Sequence, residues 1–291
     1  MHTIASLLLG YIVGIVVNLL ADYLPARRHY DIARRSPFTT VKPTPPRLLP
    51  RRPPAVDGER QGWYAPHAYS GLISALGRLA VFDPPRRWRR IAVEAGLAVG
   101  FAAITALHGV GTLAPNLGYL FFYAASLTLI AVIDLEHRMV MVEVIALVAG
   151  VALFEARFFP RHPLPTTLQA AWMALLIMGG LYALGISFGI LVRLVTGKHV
   201  GRTILGLGDV EIAVMGGLIL GWQALGPALL VMSLTGGVGA LIFIGNRFRR
   251  KRGYRRFSTI AYGPYICIGI ALALYLPTVA GELFRYAVGW G

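Results

Sequence analysis

Two aspartates stand at the edges of long apolar runs. Asp134 closes the run Leu120 to Ile133, and Asp209 opens the run Val210 to Trp222 directly after Gly206-Leu207-Gly208. An ionisable residue at such a place is costly to keep and is by default a functional hypothesis. Two carboxylates that share a poorly hydrated site hold their protons unequally, so one serves as base and the other as acid. Such a pair can hydrolyse an amide without a covalent intermediate. Each acid also has a plainer explanation. Asp134 begins the charged stretch Asp134-Leu135-Glu136-His137-Arg138, which would suit a turn between helices. Asp209 would suit a helix cap. The two glycines before Asp209 let the backbone approach a neighbouring helix closely, and on this motif alone the chemical and the cap readings weigh evenly.

Helices of membrane length must position these acids. The chain has 291 residues, 56% hydrophobic and only 14% charged, against about 25% charged in soluble domains. Apolar runs near the ~20 residues of a membrane crossing recur along it. The expected fold is all-α and polytopic, with eight spans: Thr3–Leu24, Ile91–Val110, Leu117–Ile133, Met139–Phe154, Leu168–Leu194, Val210–Trp222, Ala224–Ile244 and Tyr265–Val288. The sixth is short for a full crossing. Pairs such as Gly179-Gly180, Gly216-Gly217 and Gly236-Gly237 suit close helix packing in lipid. The organisation expected is a first transmembrane helix over 1–24, a basic loop over 25–90 and a transmembrane helical core over 91–291.

The loop over 25–90 holds 14 of the 28 Lys and Arg, only 4 acids and 11 of the 18 prolines. Runs such as Pro43-Thr44-Pro45-Pro46 cannot form regular helix or strand, so an extended, partly disordered segment is expected. Within it, Tyr69–Phe82 could form a short amphipathic helix on an anionic lipid face. The net charge of +15 needs no nucleic acid, because cytoplasmic loops of membrane proteins favour Lys and Arg. With the N-terminus outside and eight alternating spans, 25 of the 28 basic residues fall inside, leaving Arg157, Arg161 and Arg285 outside. Asp134 and Asp209 then share the cytoplasmic face, although neither entered the count. The first apolar run is long for a signal peptide and lacks a basic leader, so it is expected to be retained.

Four stretches together carry a family resemblance. Asp134-Leu135-Glu136-His137 resembles the first catalytic motif of the type IV prepilin (leader) peptidases, which are G-x-G-D aspartic membrane proteases. Gly206-Leu207-Gly208-Asp209-Val210-Glu211-Ile212 resembles their second motif, G-x-G-D-x-K-L. Tyr262-Gly263-Pro264-Tyr265 is similar to their F-G-P-F segment. Gly14-Ile15-Val16-Val17-Asn18 with Leu24-Pro25 has the spacing of their G-S-F-L-N…R-L-P segment.

The resemblance implies a membrane aspartic endopeptidase of a prokaryotic cell membrane. It would cleave basic leader peptides from prepilin or pseudopilin precursors at the cytoplasmic face. Asp134 and Asp209 would be the catalytic pair. Gly206 and Gly208 would shape the approach, and Gly263 and Pro264 would position the last helix. The chain departs from the pattern at Met141 and Val142, where the family has Pro-Asp, at Glu211, where it has Lys, and at Tyr23, where it has Arg. Glu136 and Glu211 would be further acids able to modulate the pair. The larger enzymes carry paired cysteines in the first loop, where this chain has none, so zinc is not expected. N-methylation of the product, with S-adenosylmethionine, stays open for the same reason.

Cys267 is the single cysteine, which excludes an intramolecular disulfide and points to a small buried hydrophobe. Alternatives to the leader peptidase remain. Presenilin-like intramembrane proteolysis also uses G-x-G-D. An ion-coupled transporter or proton relay would use both acids without cleaving anything. A catalytically inactive pilus or secretion assembly factor would use the basic loop alone.

Overall fold

The computed structural model describes residues 2–35, 70–72, 84–108, 114–159, 162–196, 206–249 and 261–289. Among them the structure is all-α, in eight helices: α1 (His2–Arg35), α2 (Pro84–His108), α3 (Ala114–His137), α4 (Val142–Phe158), α5 (Leu164–Thr196), α6 (Leu207–Arg249), α7 (Gly263–Tyr275) and α8 (Pro277–Val288). The proline-rich runs between Pro43 and Pro54, and most of the Tyr69–Phe82 segment, lie outside the described residues. The chain divides into two compact units, Met1–Leu129 and Ile130–Gly291.

In the first unit α1 packs along α2. Gly14 makes the close approach possible, since a Cβ there would come within 2.7 Å of the Glu94 Cα. Beside this contact the Glu94 carboxylate, with 0% exposure, is fully satisfied. It accepts from Asn18 Nδ2 at 3.3 Å, Ser70 Oγ at 2.7 Å and the backbone N–H groups of Gly71 and Leu72 at 2.9 and 3.1 Å. A buried carboxylate is tolerable only with such partners. Pro25 does not end the first helix as expected; α1 continues to Arg35. One turn before it, Asp22 is paired with Arg89 at 2.8 Å and Arg90 at 2.5 Å. Both ends of the interval expected as loop are thus helical.

In the second unit α5 packs on α6 and α6 packs on α7. At Gly221 the α6 backbone is not helical (φ 69°, ψ 178°), a conformation open to glycine. This splits α6 into arms of opposite direction. In the first arm Ile212 meets Gly263 and Gly216 meets Ile270; in the second, Ala228 meets Gly269 and Gly236 meets Tyr262. The first arm therefore runs parallel to α7 and the second runs back along it, close to the boundary expected between the sixth and seventh spans.

The count of eight spans is not confirmed. Five described helices are long and apolar enough to cross, or six if the bent pair α7–α8 is one span. Helix α4, with 17 residues, reaches only about 25 Å, short of a ~30 Å hydrocarbon core. The last expected span is broken: α7 and α8 meet at 111°. Pro277 has no N–H to continue α7 and disfavours helical geometry at Leu276, which sits at φ −130°, ψ 59°. Helix α5 buries Ala170, Ala174 and Met178, but its most apolar stretch is almost wholly unburied. Its exposed Leu168, Trp172, Leu176, Leu184 and Leu191 are what a lipid solvent requires. The chain is a multi-pass membrane protein.

Candidate active site

Asp134 lies in the last turn of α3 and Asp209 in the first turn of the first arm of α6, and both side chains are buried. The turn after Asp134 is closed tightly. The Arg138 N–H donates to the Asp134 carbonyl at 2.9 Å, and Arg138 takes the left-handed conformation at φ 51°. The chain then passes Val140, which fills the space a side chain on Gly208 would need. Glycine at 208 therefore lets the start of α6 lie against the segment that follows Asp134.

Asp209 is not the N-cap its plainer explanation required; it lies in the first turn of α6. Its Oδ2 accepts the Gly206 N–H at 2.9 Å, reaching back from the first turn as in half of a capping box. Asp134 Oδ2 accepts the Gly263 N–H at 3.1 Å, the first amide of α7. Helix N-termini present free N–H groups and favour anions. At Gly263 glycine is needed for space, because a Cβ would come within 2.6 Å of Asp134 Oδ2. Pro264 occupies the start of α7, where its missing N–H costs nothing.

Each carboxylate thus spends Oδ2 on a backbone amide. Among the described residues neither Oδ1 has a hydrogen-bond partner. The charge of Asp209 acts on Asp134, as does that of Arg138. Two acids from separate helices therefore sit within electrostatic reach, each fixed through one oxygen. Glu211 is half-buried on the first arm of α6, and Glu136 is exposed, 3.9 Å from His137. The charges acting on Asp134 come from neither.

Three contributors escaped the sequence reading. Arg138 was taken only as part of a charged turn, and Val140 carried no signal. Tyr262 is the third. Burial, and then the Asp209 charge, push its phenol above the usual tyrosine value. The signal for Tyr262 was its place next to Gly263. Cys267 is buried on α7. Among the described residues no cluster of three or more His, Cys, Asp or Glu could hold a metal ion.

Residues 121–241 match the model of the type IV leader peptidase family. The matched region includes Asp134 and the whole first arm of α6, with Gly206, Gly208 and Asp209. Comparison with curated proteins gave no match, and neither did comparison with solved structures.

Proposed function

We propose that this chain, of the type IV leader peptidase family through residues 121–241, is an aspartic endopeptidase with Asp134 and Asp209 as its catalytic pair. The observation that carries the reading is that two buried acids on separate helices are each held through one oxygen by a backbone amide near a helix start. In this reading a water lies between the two carboxylates. One carboxylate takes a proton from that water as its oxygen attacks the scissile carbonyl carbon. The other, protonated, donates to the carbonyl oxygen. The resulting tetrahedral diol collapses as a proton passes to the leaving nitrogen and the C–N bond breaks. The pair titrates as a unit, so neither aspartate owns the proton.

The substrate of this reading is a prepilin-like or pseudopilin precursor with a short basic leader ahead of an apolar helix. Cleavage takes place at the cytoplasmic face, which the basic residues assign to the ends of the helices bearing both acids. Zinc and S-adenosylmethionine have no step in it.

Co-expression with a basic-leader precursor tests the proposal. The precursor should show a mass shift on gels with the wild-type chain and none with Asp134→Asn or Asp209→Asn. Residual rates about 10³-fold or more below wild type are expected for each, because the residues act as one unit. Continued cleavage by either variant would remove that residue from the pair. Ion-coupled transport lost on the same substitutions, with no cleavage by wild type, would favour a relay instead.

A further inference from the structure

Tyr262 and Tyr265 lie three residues apart at the start of α7, and Gly236 and Gly239 lie three apart on the second arm of α6. They pair across the interface. A Cβ on Gly236 would come within 2.6 Å of Tyr262 Cε2 and 3.2 Å of its hydroxyl, and one on Gly239 would overlap the Tyr265 phenol. Each ring thus occupies a notch that only glycine leaves open. The two rings lie 6.0 Å apart at 50°. Ser233, one turn before Gly236, donates to the Leu229 carbonyl at 2.8 Å.

The backbone of Tyr262 is equally constrained. It is the N-cap of α7, and its carbonyl accepts from Tyr265 N at 3.0 Å and Ile266 N at 3.3 Å. That carbonyl belongs to the same peptide group as the Gly263 N–H held by Asp134. A planar peptide moves as one body. Whatever sets the Tyr262 ring and carbonyl therefore sets the direction of the donor at Asp134.

We infer that Tyr262 is a positioning residue for the Asp134–Asp209 site, seated in the Gly236 notch so that its peptide group aims the Gly263 N–H at Asp134. The inference rests on the peptidase reading for its catalytic consequence, but not for its structural one. Tyr265 on Gly239 is the second seat, which stops the start of α7 from rolling.

The test uses the full-length chain, purified in detergent, with a basic-leader precursor as substrate. Gly236→Ala places a methyl group where the ring sits, Tyr262→Ala removes the ring, and Tyr262→Phe keeps it. Gly237→Ala is the control, because a Cβ there meets nothing within 4 Å. Gly236→Ala and Tyr262→Ala should lower kcat by about tenfold or more with KM within about threefold, since small misplacements at a reacting centre are expensive. Gly237→Ala should stay within about threefold of wild type, and Tyr262→Phe, which keeps the ring in its notch, should recover most of the kcat lost in Tyr262→Ala. Amide hydrogen exchange across 261–263 should be faster in Gly236→Ala than in Gly237→Ala. Equal exchange in those two alanine variants, or wild-type kcat in both Gly236→Ala and Tyr262→Ala, would overturn the positioning role. If the wild-type chain fails to cleave, the peptidase reading falls, and the exchange comparison still decides the structural one.

Discussion

At Gly263 a single methyl group would crowd the Asp134 carboxylate of the proposed site. A methyl group there would press on the Asp134 oxygen that its own N–H holds. Gly263→Ala should therefore leave the folded chain in the membrane and cut leader cleavage by about 10²-fold, measured as the precursor-to-product ratio over time. Near-normal cleavage would show that the Asp134–Gly263 bond is not part of the working geometry. Hydrolysis by two acids also needs no bound metal, so cleavage should persist in excess EDTA; its loss would point to a different chemistry. At this scale the sequence was informative about the acids, because a carboxylate at the edge of an apolar run is conspicuous. It was silent on Val140 and offered Tyr262 only as part of the Tyr262-Gly263-Pro264-Tyr265 segment. Their importance comes from what they touch, and a valine or tyrosine beside a membrane helix is ordinary by type.

The elements explain how Asp134 and Asp209, far apart in sequence, come to interact. The segment after α3 must lie against the first turn of α6, and the Gly208–Val140 contact sets that distance. Gly208→Ala should lower stability and activity together, and Val140→Ala should recover part of both in the double variant. A coupling energy of about 1 kcal/mol or more from thermal unfolding in detergent is expected for residues in direct contact. Strict additivity would separate the two. The second element-scale feature is the reversal at Gly221, where Gly221→Ala should cost about 1–3 kcal/mol through its positive φ; an unchanged melting temperature would contradict this. The division of α6 into two spans was legible because the apolar run breaks near Trp222. The 111° bend before Pro277 was not taken from the sequence, although the proline itself was the signal. Hydropathy alone reads across such a break, because both α7 and α8 are apolar enough to extend one run.

At the scale of the whole molecule, charge has to choose an orientation that hydrophobicity leaves open. With 25 of 28 basic residues on one side of the proposed topology, flipping the chain would carry a large positive excess across the membrane. The count assumes eight alternating spans, and the interval 25–90 with the cluster between Arg247 and Arg256 supplies most of the charge on the inner side. The orientation decides the biology as well, since a leader peptide can be removed by this site only on the side where the precursor presents it. In a Cys267→Ala background, His2→Cys should react with a membrane-impermeant maleimide on intact cells. Glu136→Cys, two residues from Asp134, should react only after permeabilisation. His2 and Glu136 are both exposed, so protection of either would report the membrane and not the protein interior. The reverse labelling pattern would place the two aspartates outside and remove the cytoplasmic precursor as their substrate, whatever chemistry the pair performs.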